Sequence, residues 1–280
     1  MTFYPDKDGV LVRAEHFDLA ATIECGQFFR YSKENGGFRI IAGKRKALIS
    51  CEDDYVRFHN ISADEFEGFW AEYFDLNRDY GAIIGDLAER DFVLREAAAF
   101  APGIRIMNQD PWETLLCFII SANNRIPMIM KVVGNIAERF GEDNVLPGPE
   151  ILAKAALDGL LACKAGFRAG YIINAAESVL SGNPILDADR EISTDELRRR
   201  LMTIKGVGVK VADCVMLFGM GRREVFPVDV WIGRAVRRLY FNGADVPLAQ
   251  IQAFARERFG EHAGYANQLL FHYARMNRII

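Results

Sequence analysis

Short runs of hydrophobic residues alternate with polar residues in the N-terminal part of the chain. Four such runs lie between Gln27 and His59, separated by turn formers such as Gly36-Gly37 and Asp53-Asp54. Alternation with a period of two is typical of strands that have one buried and one solvated face. We therefore predict a small antiparallel sheet with strands at 27–32, 37–42, 46–51 and 55–60.

Helical patterns follow the strands. Ser62 and Glu65 have the spacing of a capping box, which predicts a helix over 64–75. Asp110 before Pro111 is a typical helix start, and the apolar run behind it ends at Ile120, before Ser121-Ala122-Asn123-Asn124. Further helices are predicted at about 127–140, 150–163, 168–181 and 194–203.

These patterns together predict an α+β protein with two domains. Residues 1–100 are expected to form an N-terminal antiparallel sheet domain with flanking helices. Residues 101–280 are expected to form a mainly helical domain, with a helical hairpin at about 194–217. The chain contains no long linker, so we expect the two domains to pack against each other.

Composition excludes several classes of protein. Of the 280 residues, 50% are hydrophobic and 26% are charged, which is enough for a folded core and argues against extended disorder. The sequence has neither an apolar run long enough to span a bilayer nor the pattern of a secretory signal. The five cysteines and four histidines are scattered. We expect reduced thiols, a cytoplasmic location (at the nucleoid if bacterial) and no Cys-rich metal centre.

The formal net charge of −4 would by itself argue against a nucleic-acid partner, but the charges are unevenly distributed. Residues 1–100 carry 12 basic and 19 acidic side chains, whereas residues 193–241 carry 10 basic and five acidic ones. This basic segment includes the predicted hairpin. It predicts a surface that neutralises phosphates and binds DNA independently of base sequence.

Two glycines lie between the helices of the predicted hairpin. Ser193 and Glu196 predict the start of the first helix, and Lys205-Gly206-Val207-Gly208-Val209-Lys210 leads into the second. Such a turn leaves backbone N–H groups of Gly206, Gly208 and Val209 available. At a helix start, these groups and the helix dipole favour an anionic oxygen such as that of a phosphate.

Lys210 opens the second helix of the hairpin, and Asp229 follows 19 residues later, where it could cap the next helix. A lysine with a carboxylate partner suggests an amine nucleophile. Only the neutral amine attacks carbon, so this chemistry needs a water-poor setting. Taken alone, Lys210 fits a solvated lysine at a helix start better than a nucleophile.

The motif IKGVGVKVADC with VFPVDV resembles that of the helix-hairpin-helix DNA glycosylases. With its lysine at position 210, the motif resembles that of the bifunctional branch of this family, and in detail that of 8-oxoguanine DNA glycosylase/AP lyase. Three further stretches match that family in order: 25–30 (CGQFFR), 108–111 with 121–124, and 263–271. The resemblance therefore spans nearly the whole chain, and it implies excision of 8-oxoguanine from duplex DNA with AP lyase activity.

The resemblance implies a role for each matching residue. Lys210 would attack the sugar C1′ of a flipped nucleotide and form a Schiff base, and Asp229 would stabilise the positive sugar. Cys214 and Phe271 would face the two sides of the base; alternatively both belong to the core. The Gly26 carbonyl would accept the N7–H of 8-oxoguanine, which guanine lacks. Asn123 would fill the gap left by the base, although its position also fits a helix C-cap.

The chain departs from the family pattern at several positions. Asn267 replaces a glutamine that contacts the Watson–Crick edge of the base, so either Asn267 or Gln268 must reach that edge. Met128 replaces an arginine that reads the opposite cytosine, and we predict weak preference for cytosine. Phe167 replaces a tyrosine wedge, and Trp231 replaces a histidine near a phosphate.

Other interpretations remain open at this point. A non-catalytic hairpin DNA-binding module would not need both Lys210 and Asp229. A glycosylase of the same superfamily with another damaged purine as substrate is a second alternative. A nucleotide-binding enzyme is disfavoured because no strand precedes the glycine turn. We expect a monomer without an organic cofactor. No firm metal site is assigned, although the resemblance allows a weak cation at the backbone of Met202, Ile204 and Val207.

Overall fold

The N-terminal sheet is present in the computed structural model, which describes residues 1–182, 186 and 192–279. Its strands are β1 Thr2–Asp6, β2 Gly9–Arg13, β3 Tyr31–Glu34, β4 Gly37–Ala42, β5 Arg45–Glu52 and β6 Tyr55–His59. The order across the sheet is β1-β2-β6-β5-β4-β3. The pairs β1–β2, β2–β6, β5–β6 and β3–β4 are antiparallel. Neighbouring strands are thus mostly joined by hairpins, as the turn formers predict.

The predicted strands at 37–42, 46–51 and 55–60 are confirmed as β4, β5 and β6. The first predicted strand begins only at Tyr31, because Phe28 and Phe29 are buried outside the ladder. The hairpin β1–β2 was not predicted. Pro5 lies in β1, which is an edge strand where proline needs no hydrogen-bonding partner for its nitrogen.

The helix predicted from Ser62 begins as expected but is irregular. Ser62 Oγ accepts a hydrogen bond from Glu65 N at 3.1 Å. Glu65 Oε1 accepts a hydrogen bond from Trp70 Nε1 at 3.1 Å. The element consists of α2 Ala63–Glu65, a π-helical turn at Phe66–Trp70 and α3 Ala71–Tyr73. The π turn places Phe66 and Trp70 among Phe58 and Phe74 in an aromatic core.

The remaining helices outnumber those predicted, and they include the ones expected after Asp110 and at 127–140, 168–181 and 194–203. They are α1 Leu19–Glu24, α4 Tyr80–Arg90, α5 Phe92–Phe100, α6 Pro111–Ser121, α7 Ile126–Phe140, α8 Pro149–Leu152, α9 Leu157–Ala162, α10 Ala169–Leu180, α11 Thr194–Leu201, α12 Val209–Gly219, α13 Val230–Tyr240, α14 Leu248–Phe259 and α15 Ala263–Met276. Short 3₁₀ turns precede α10 and α15, at Gly166–Arg168 and Gly260–His262. The helix predicted at 150–163 is in fact two short helices, α8 and α9, separated by residues 153–156.

The described chain forms two compact units. The first comprises residues 1–40, 46–108 and 223–280, and the second comprises residues 41–45 and 109–222. Each of these units combines separate stretches of the chain, so the units do not test a division of the sequence at a single residue. The predicted division into residues 1–100 and 101–280 therefore stays a prediction.

In the second unit, α12 packs against α6. Phe118 of α6 and Phe218 of α12 stack with ring centroids 5.5 Å apart. Both helices are almost entirely buried along their lengths. Their tight packing fixes the first turn of α12 relative to the last turn of α6. Among the residues that the structure describes, no helix has the length and apolar character needed to cross a membrane.

Candidate active site

The predicted helical hairpin is confirmed as α11, a glycine turn and α12. Ser193 Oγ accepts from Glu196 N at 3.3 Å at the start of α11. Gly206 has φ +89°, and a Cβ there would lie 2.3 Å from the Tyr171 ring, so only glycine fits. Gly208 caps α12 in an extended conformation, and a Cβ there would meet no heavy atom within 4 Å among the described residues. Open space therefore lies beside the N-terminus of α12.

Part of the charge of the basic segment is neutralised within the hairpin. Arg198 Nε lies 2.7 Å from Oδ1 of the buried Asp213, which ties α11 to α12. Arg199 and Arg200 both pair with Glu196. Lys205 is exposed in the turn, and Arg234 and Arg238 are exposed on α13. The count of ten basic side chains thus overstates the number that a partner could contact without competition from these acids.

Lys210 lies in the first turn of α12, and its ammonium contacts the last turn of α6. Nζ is 3.2 Å from Ser121 Oγ and 4.8 Å from the centroid of the Phe118 ring. The Ser121 hydroxyl donates to Phe118 O at 2.7 Å. Because that bond uses the only proton of the hydroxyl, its oxygen accepts from Lys210. The lysine is half-buried, with its nitrogen held between a hydroxyl oxygen and an aromatic face.

Cys214 is buried one helical turn beyond Lys210, on the same side of α12. This position agrees both with a core residue and with one wall of a base pocket.

Asp229 caps α13, as predicted. Its Oδ1 accepts from Ile232 N at 2.8 Å, which fixes the orientation of the carboxylate. The next two residues, Val230 and Trp231, are exposed at the start of the helix, Trp231 by 50%. Asp229 and Trp231 belong to the first compact unit, whereas Lys210 belongs to the second.

The structure distinguishes the two candidates for contact with the base edge. Asn267 is buried, and its Nδ2 donates to Pro227 O at 2.8 Å, two residues before Asp229. Gln268 is also buried, and among the described residues its Oε1 has no hydrogen-bonding partner. Phe271, on the same helix α15, is partly exposed. The amide nitrogen of Asn267 is therefore hydrogen-bonded to the backbone, whereas the buried Oε1 of Gln268 is an acceptor without a partner among the described residues.

Gly26 follows helix α1 and has φ +89°, a conformation that favours glycine. It is partly exposed, while its neighbours Cys25 and Gln27 are buried. The backbone at residue 26 thus reaches the surface between two buried side chains.

The loop after α6 carries Asn123, which is exposed and has φ +50°. Ala122 is the C-cap of α6, so Asn123 directly follows the helix cap. Arg168 donates to Ala122 O at 2.8 Å and to Asn123 O at 2.9 Å, and its guanidinium lies 4.3 Å from the Phe167 ring centroid. Burial lowers the pKa of Arg168. A single buried cation thus holds both the Asn123 backbone and Phe167, which is 59% exposed.

Met128 is 43% exposed in the first turn of α7 and belongs to the same compact unit as Asn123 and Phe167. The possible cation ligands, in the hairpin turn, remain a prediction; Ile204 O accepts from Val207 N at 3.0 Å. Among the described residues, no three His, Cys, Asp or Glu side chains are placed to hold a metal ion.

Three contributors to the site were not predicted as functional. Ser121 and Phe118 contact Lys210 across 89 and 92 residues of sequence, and Arg168 supports the Asn123 loop. Ser121 lies at the polar end of an apolar helix and in the stretch 121–124 that resembles the family, but the sequence assigns it no role. No local sequence signal connects these residues to their partners.

Comparison with known proteins covers most of the chain. Residues 10–115 match the family model for the N-terminal domain of 8-oxoguanine DNA glycosylase. Residues 116–260 match the model of the HhH-GPD superfamily of base excision DNA repair proteins. The second match alone covers about half of the chain.

Similar solved structures extend over nearly the full length. The 8-oxoguanine glycosylase/lyase of Clostridium acetobutylicum, solved with double-stranded DNA containing cytosine opposite 8-oxoguanine, is 40% identical with a TM-score of 0.93, covering 99% of each chain. A structure of MBOgg1 with a low-affinity DNA ligand is 42% identical with a TM-score of 0.91, covering 99% of this chain and 100% of that one.

A curated relative is more distant. The N-glycosylase/DNA lyase of Saccharomyces cerevisiae is 31% identical over an alignment of 215 positions that covers 60% of this chain and 56% of the yeast protein. The chain thus aligns with little more than half the length of the yeast enzyme. The chain belongs to the 8-oxoguanine DNA glycosylases of the HhH-GPD superfamily of base excision DNA repair proteins.

Proposed function

We propose that this chain is a bifunctional DNA glycosylase and AP lyase that excises 8-oxoguanine from duplex DNA. The observation that carries the proposal is Lys210, held at the start of α12 by Ser121 and Phe118 beside an open glycine turn. Its C. acetobutylicum relative is named for the same activity. We further propose that the chain acts as a monomer, in the cytoplasm, and needs no cofactor.

In the proposed reaction, the damaged nucleotide leaves the duplex, which costs a few kcal/mol of stacking and pairing. The neutral amine of Lys210 attacks C1′, and the bond from C1′ to the base breaks. The sugar ring opens to a Schiff base on Nζ. Loss of a proton from C2′ then expels the 3′ phosphate oxygen, and the strand is nicked by β-elimination. The half-buried position of Lys210 limits water around the amine.

Asp229 is proposed to stabilise the positive character that develops on the sugar as the base leaves. A carboxylate that is already oriented needs no reorganisation during the reaction, which makes its field effective. The bond from Ile232 N to Asp229 Oδ1 supplies that orientation.

The base is proposed to lie between Cys214 and Phe271, because a polarizable sulfur and an aromatic face suit a planar purine. The Gly26 carbonyl would accept the N7–H that distinguishes 8-oxoguanine from guanine. Asn267 and Gln268 both remain candidates for the Watson–Crick edge. The unpartnered Oε1 of Gln268 favours Gln268, because a ligand would satisfy a buried acceptor that is otherwise costly to desolvate.

Contacts to the DNA itself are assigned to two sets of residues. Backbone N–H groups at the start of α12 and the exposed Trp231 are proposed to lie against phosphates. The exposed side chains near the Arg168 loop are proposed to probe the duplex, with Asn123 filling the gap, Phe167 as the wedge and Met128 near the opposite base. The backbone N–H groups of the first set are those of Gly206, Gly208 and Val209.

The test uses wild-type protein and a duplex with a single 8-oxoguanine. We expect base release, a nicked strand, and a covalent protein–DNA adduct when sodium borohydride reduces the Schiff base. An undamaged duplex of the same sequence is the control. Absence of both product and adduct would refute the proposed function.

Substitution of Ser121 by alanine is expected to slow base excision about 3- to 10-fold. Ser121 accepts a hydrogen bond from Lys210, and one such bond contributes about 0.5–1.5 kcal/mol. Single-turnover excision of 8-oxoguanine gives the rate. Ser181→Ala is a matched control, since Ser181 Oγ also donates to a carbonyl three residues earlier, at 2.7 Å, at the end of α10. Equal effects of the two substitutions would contradict a role for Ser121 on the lysine.

Excision is expected to depend weakly on the base opposite the lesion, with rates opposite A, G and T within about tenfold of that opposite C. Met128 has no hydrogen-bond donor to read cytosine. Met128→Arg should raise the preference for cytosine by about tenfold, since one hydrogen bond to a charged group contributes about 1.5–3 kcal/mol. Met130→Arg on the same helix is the control. A wild-type rate that collapses opposite every base except cytosine would overturn this prediction.

A further inference from the structure

The buried side chain of Gln27 makes an unusually complete set of hydrogen bonds. Gln27 is 1% exposed. Its Nε2 donates to Arg105 O at 2.7 Å and to Thr22 O at 2.9 Å, and its Oε1 accepts from Met107 N at 2.9 Å. The carboxamide therefore pairs with the C=O of one residue and the N–H of the second residue along, as a neighbouring strand would.

The backbone that Gln27 binds is itself firmly held. Arg105 N donates to Thr22 Oγ1 at 3.1 Å, and Ile106 N donates to Tyr80 Oη at 2.8 Å. The Arg105 guanidinium donates to the carbonyls of His16 at 2.9 Å and Asp75 at 2.6 Å. Segment 105–107 is thus a rigid reference to which the Gln27 side chain is fixed.

Gly26 lies between two residues that are tied to this core. On one side, Cys25 Sγ lies 3.2 Å from Thr22 O and 3.3 Å from Gln27 Nε2. Burial raises the pKa of the Cys25 thiol to about 11, so it stays a neutral partner at physiological pH. On the other side is Gln27 itself.

The planarity of the peptide bond links Gln27 to the Gly26 carbonyl. The C=O of residue 26 lies in the same plane as the N and Cα of residue 27. Gly26, at φ +89°, has no side chain to restrict rotation of that plane. The Gln27 side chain, which is bound at three backbone positions, restricts that rotation.

We propose that Gln27 is the positioning residue that sets the direction of the Gly26 carbonyl and thereby determines selection of oxidised purine over guanine. This inference rests on the proposed function and on the proposed reading of N7 by Gly26. A carbonyl held in one direction accepts from an N7–H and repels the N7 lone pair of guanine. A carbonyl free to rotate turns away from either partner, and the discrimination is lost.

The chemistry of the contacts restricts the residue type. Glutamate has the same shape but no N–H to donate to Arg105 O and Thr22 O. Methionine has a similar length but neither donates nor accepts well. Gln27→Glu therefore removes only the hydrogen-bond donor. Gln27→Met removes both the donor and the acceptor.

The experiment compares two activities of each variant. One is single-turnover excision from a duplex with 8-oxoguanine, which needs the base to be read. The other is nicking of a duplex with a preformed abasic site, which carries no base. We expect excision to fall by up to about 100-fold, the cost of displacing a contacting group by about 1 Å. Nicking should stay within about threefold of the wild-type rate, which also shows that the variant is folded.

A binding measurement makes the inference independent of catalysis. In Lys210→Gln protein, the ratio of Kd values for the guanine and 8-oxoguanine duplexes should fall about tenfold or more when Gln27 is also replaced. Asn135→Asp is the matched control, since Asn135 Nδ2 also donates to a backbone carbonyl, that of Cys163 at 3.2 Å, but belongs to the other compact unit. Its binding ratio should not change.

Unchanged binding ratios in both Gln27 variants would overturn the inference, as would excision and abasic-site nicking that fall in equal proportion. If wild-type protein neither excises nor nicks, the proposed function fails. The Kd ratio still decides whether Gln27 controls selection of the base.

Discussion

Replacing Lys210 with glutamine is expected to abolish the borohydride-trapped adduct and to lower excision of 8-oxoguanine by at least about a thousandfold. Glutamine has no amine to attack C1′, so neither the Schiff base nor β-elimination is available to it. In a serine protease, removal of the covalent nucleophile lowers kcat by about 10⁶. The measurement is single-turnover excision and gel separation of the reduced protein–DNA adduct.

Lys205→Gln is the matched control for Lys210→Gln. Lys205 precedes Lys210 by five residues and is exposed in the hairpin turn. It loses the same charge from the same basic segment, so it reports on DNA affinity alone. We expect the Lys205→Gln protein to form the adduct. Its affinity for DNA should fall as the salt concentration rises. An undiminished adduct with Lys210→Gln would show that another amine is the nucleophile.

Replacing Asp229 with asparagine is expected to lower the rate of excision by about 10²- to 10³-fold, the usual cost of removing one preorganised electrostatic partner of a transition state. Asparagine caps helices as well as aspartate does, so α13 should still begin at Val230. The loss should therefore appear in the single-turnover rate at saturating enzyme and not in the affinity for the duplex.

Asp79→Asn tests whether the loss arises from the helix cap itself. Asp79 caps α4 in the same manner, with Oδ1 accepting from Ala82 N at 2.9 Å, and belongs to the same compact unit. We expect it to excise at nearly the wild-type rate. A similar drop with Asp79→Asn, or full activity of Asp229→Asn, would contradict the electrostatic role.

The caps and the hairpin illustrate what could be predicted locally. Asp110, Ser193 and Asp229 each accept a hydrogen bond from the N–H three residues later, as their sequence positions predict. These contacts depend on a few neighbouring residues, so sequence alone contains the necessary information. The same is true of the glycine turn at 206–208.

Elements whose form depends on distant packing were predicted less well. The edge strand β1 contains Pro5 and was missed, and the continuous helix predicted at 150–163 is interrupted. The π turn at 66–70 arises where four aromatic rings pack together. Local propensity does not encode these outcomes, because tertiary contacts overcome small differences in backbone preference.

The candidate site shows the same division. Lys210, Asp229, Cys214 and Gly26 lie in recognisable motifs. The contacts of their supporting residues are not visible in the sequence: Ser121 contacts Lys210 from 89 residues away, and Gln27 binds Arg105 across 78 residues. No spacing rule connects such pairs.

By itself, the sequence determined strands β4 to β6, the helix caps, the hairpin and the motifs that identify the family. Only the tertiary structure decided that Ser121 and Phe118 contact the Lys210 amine, that Asn267 Nδ2 binds the backbone while Gln268 Oε1 has no partner among the described residues, and that the Gln27 side chain binds the backbone of Arg105 and Met107. The physical reason is range. Caps and turns are satisfied by hydrogen bonds within four residues, whereas orientation of a functional group depends on buried partners that folding brings from remote parts of the chain.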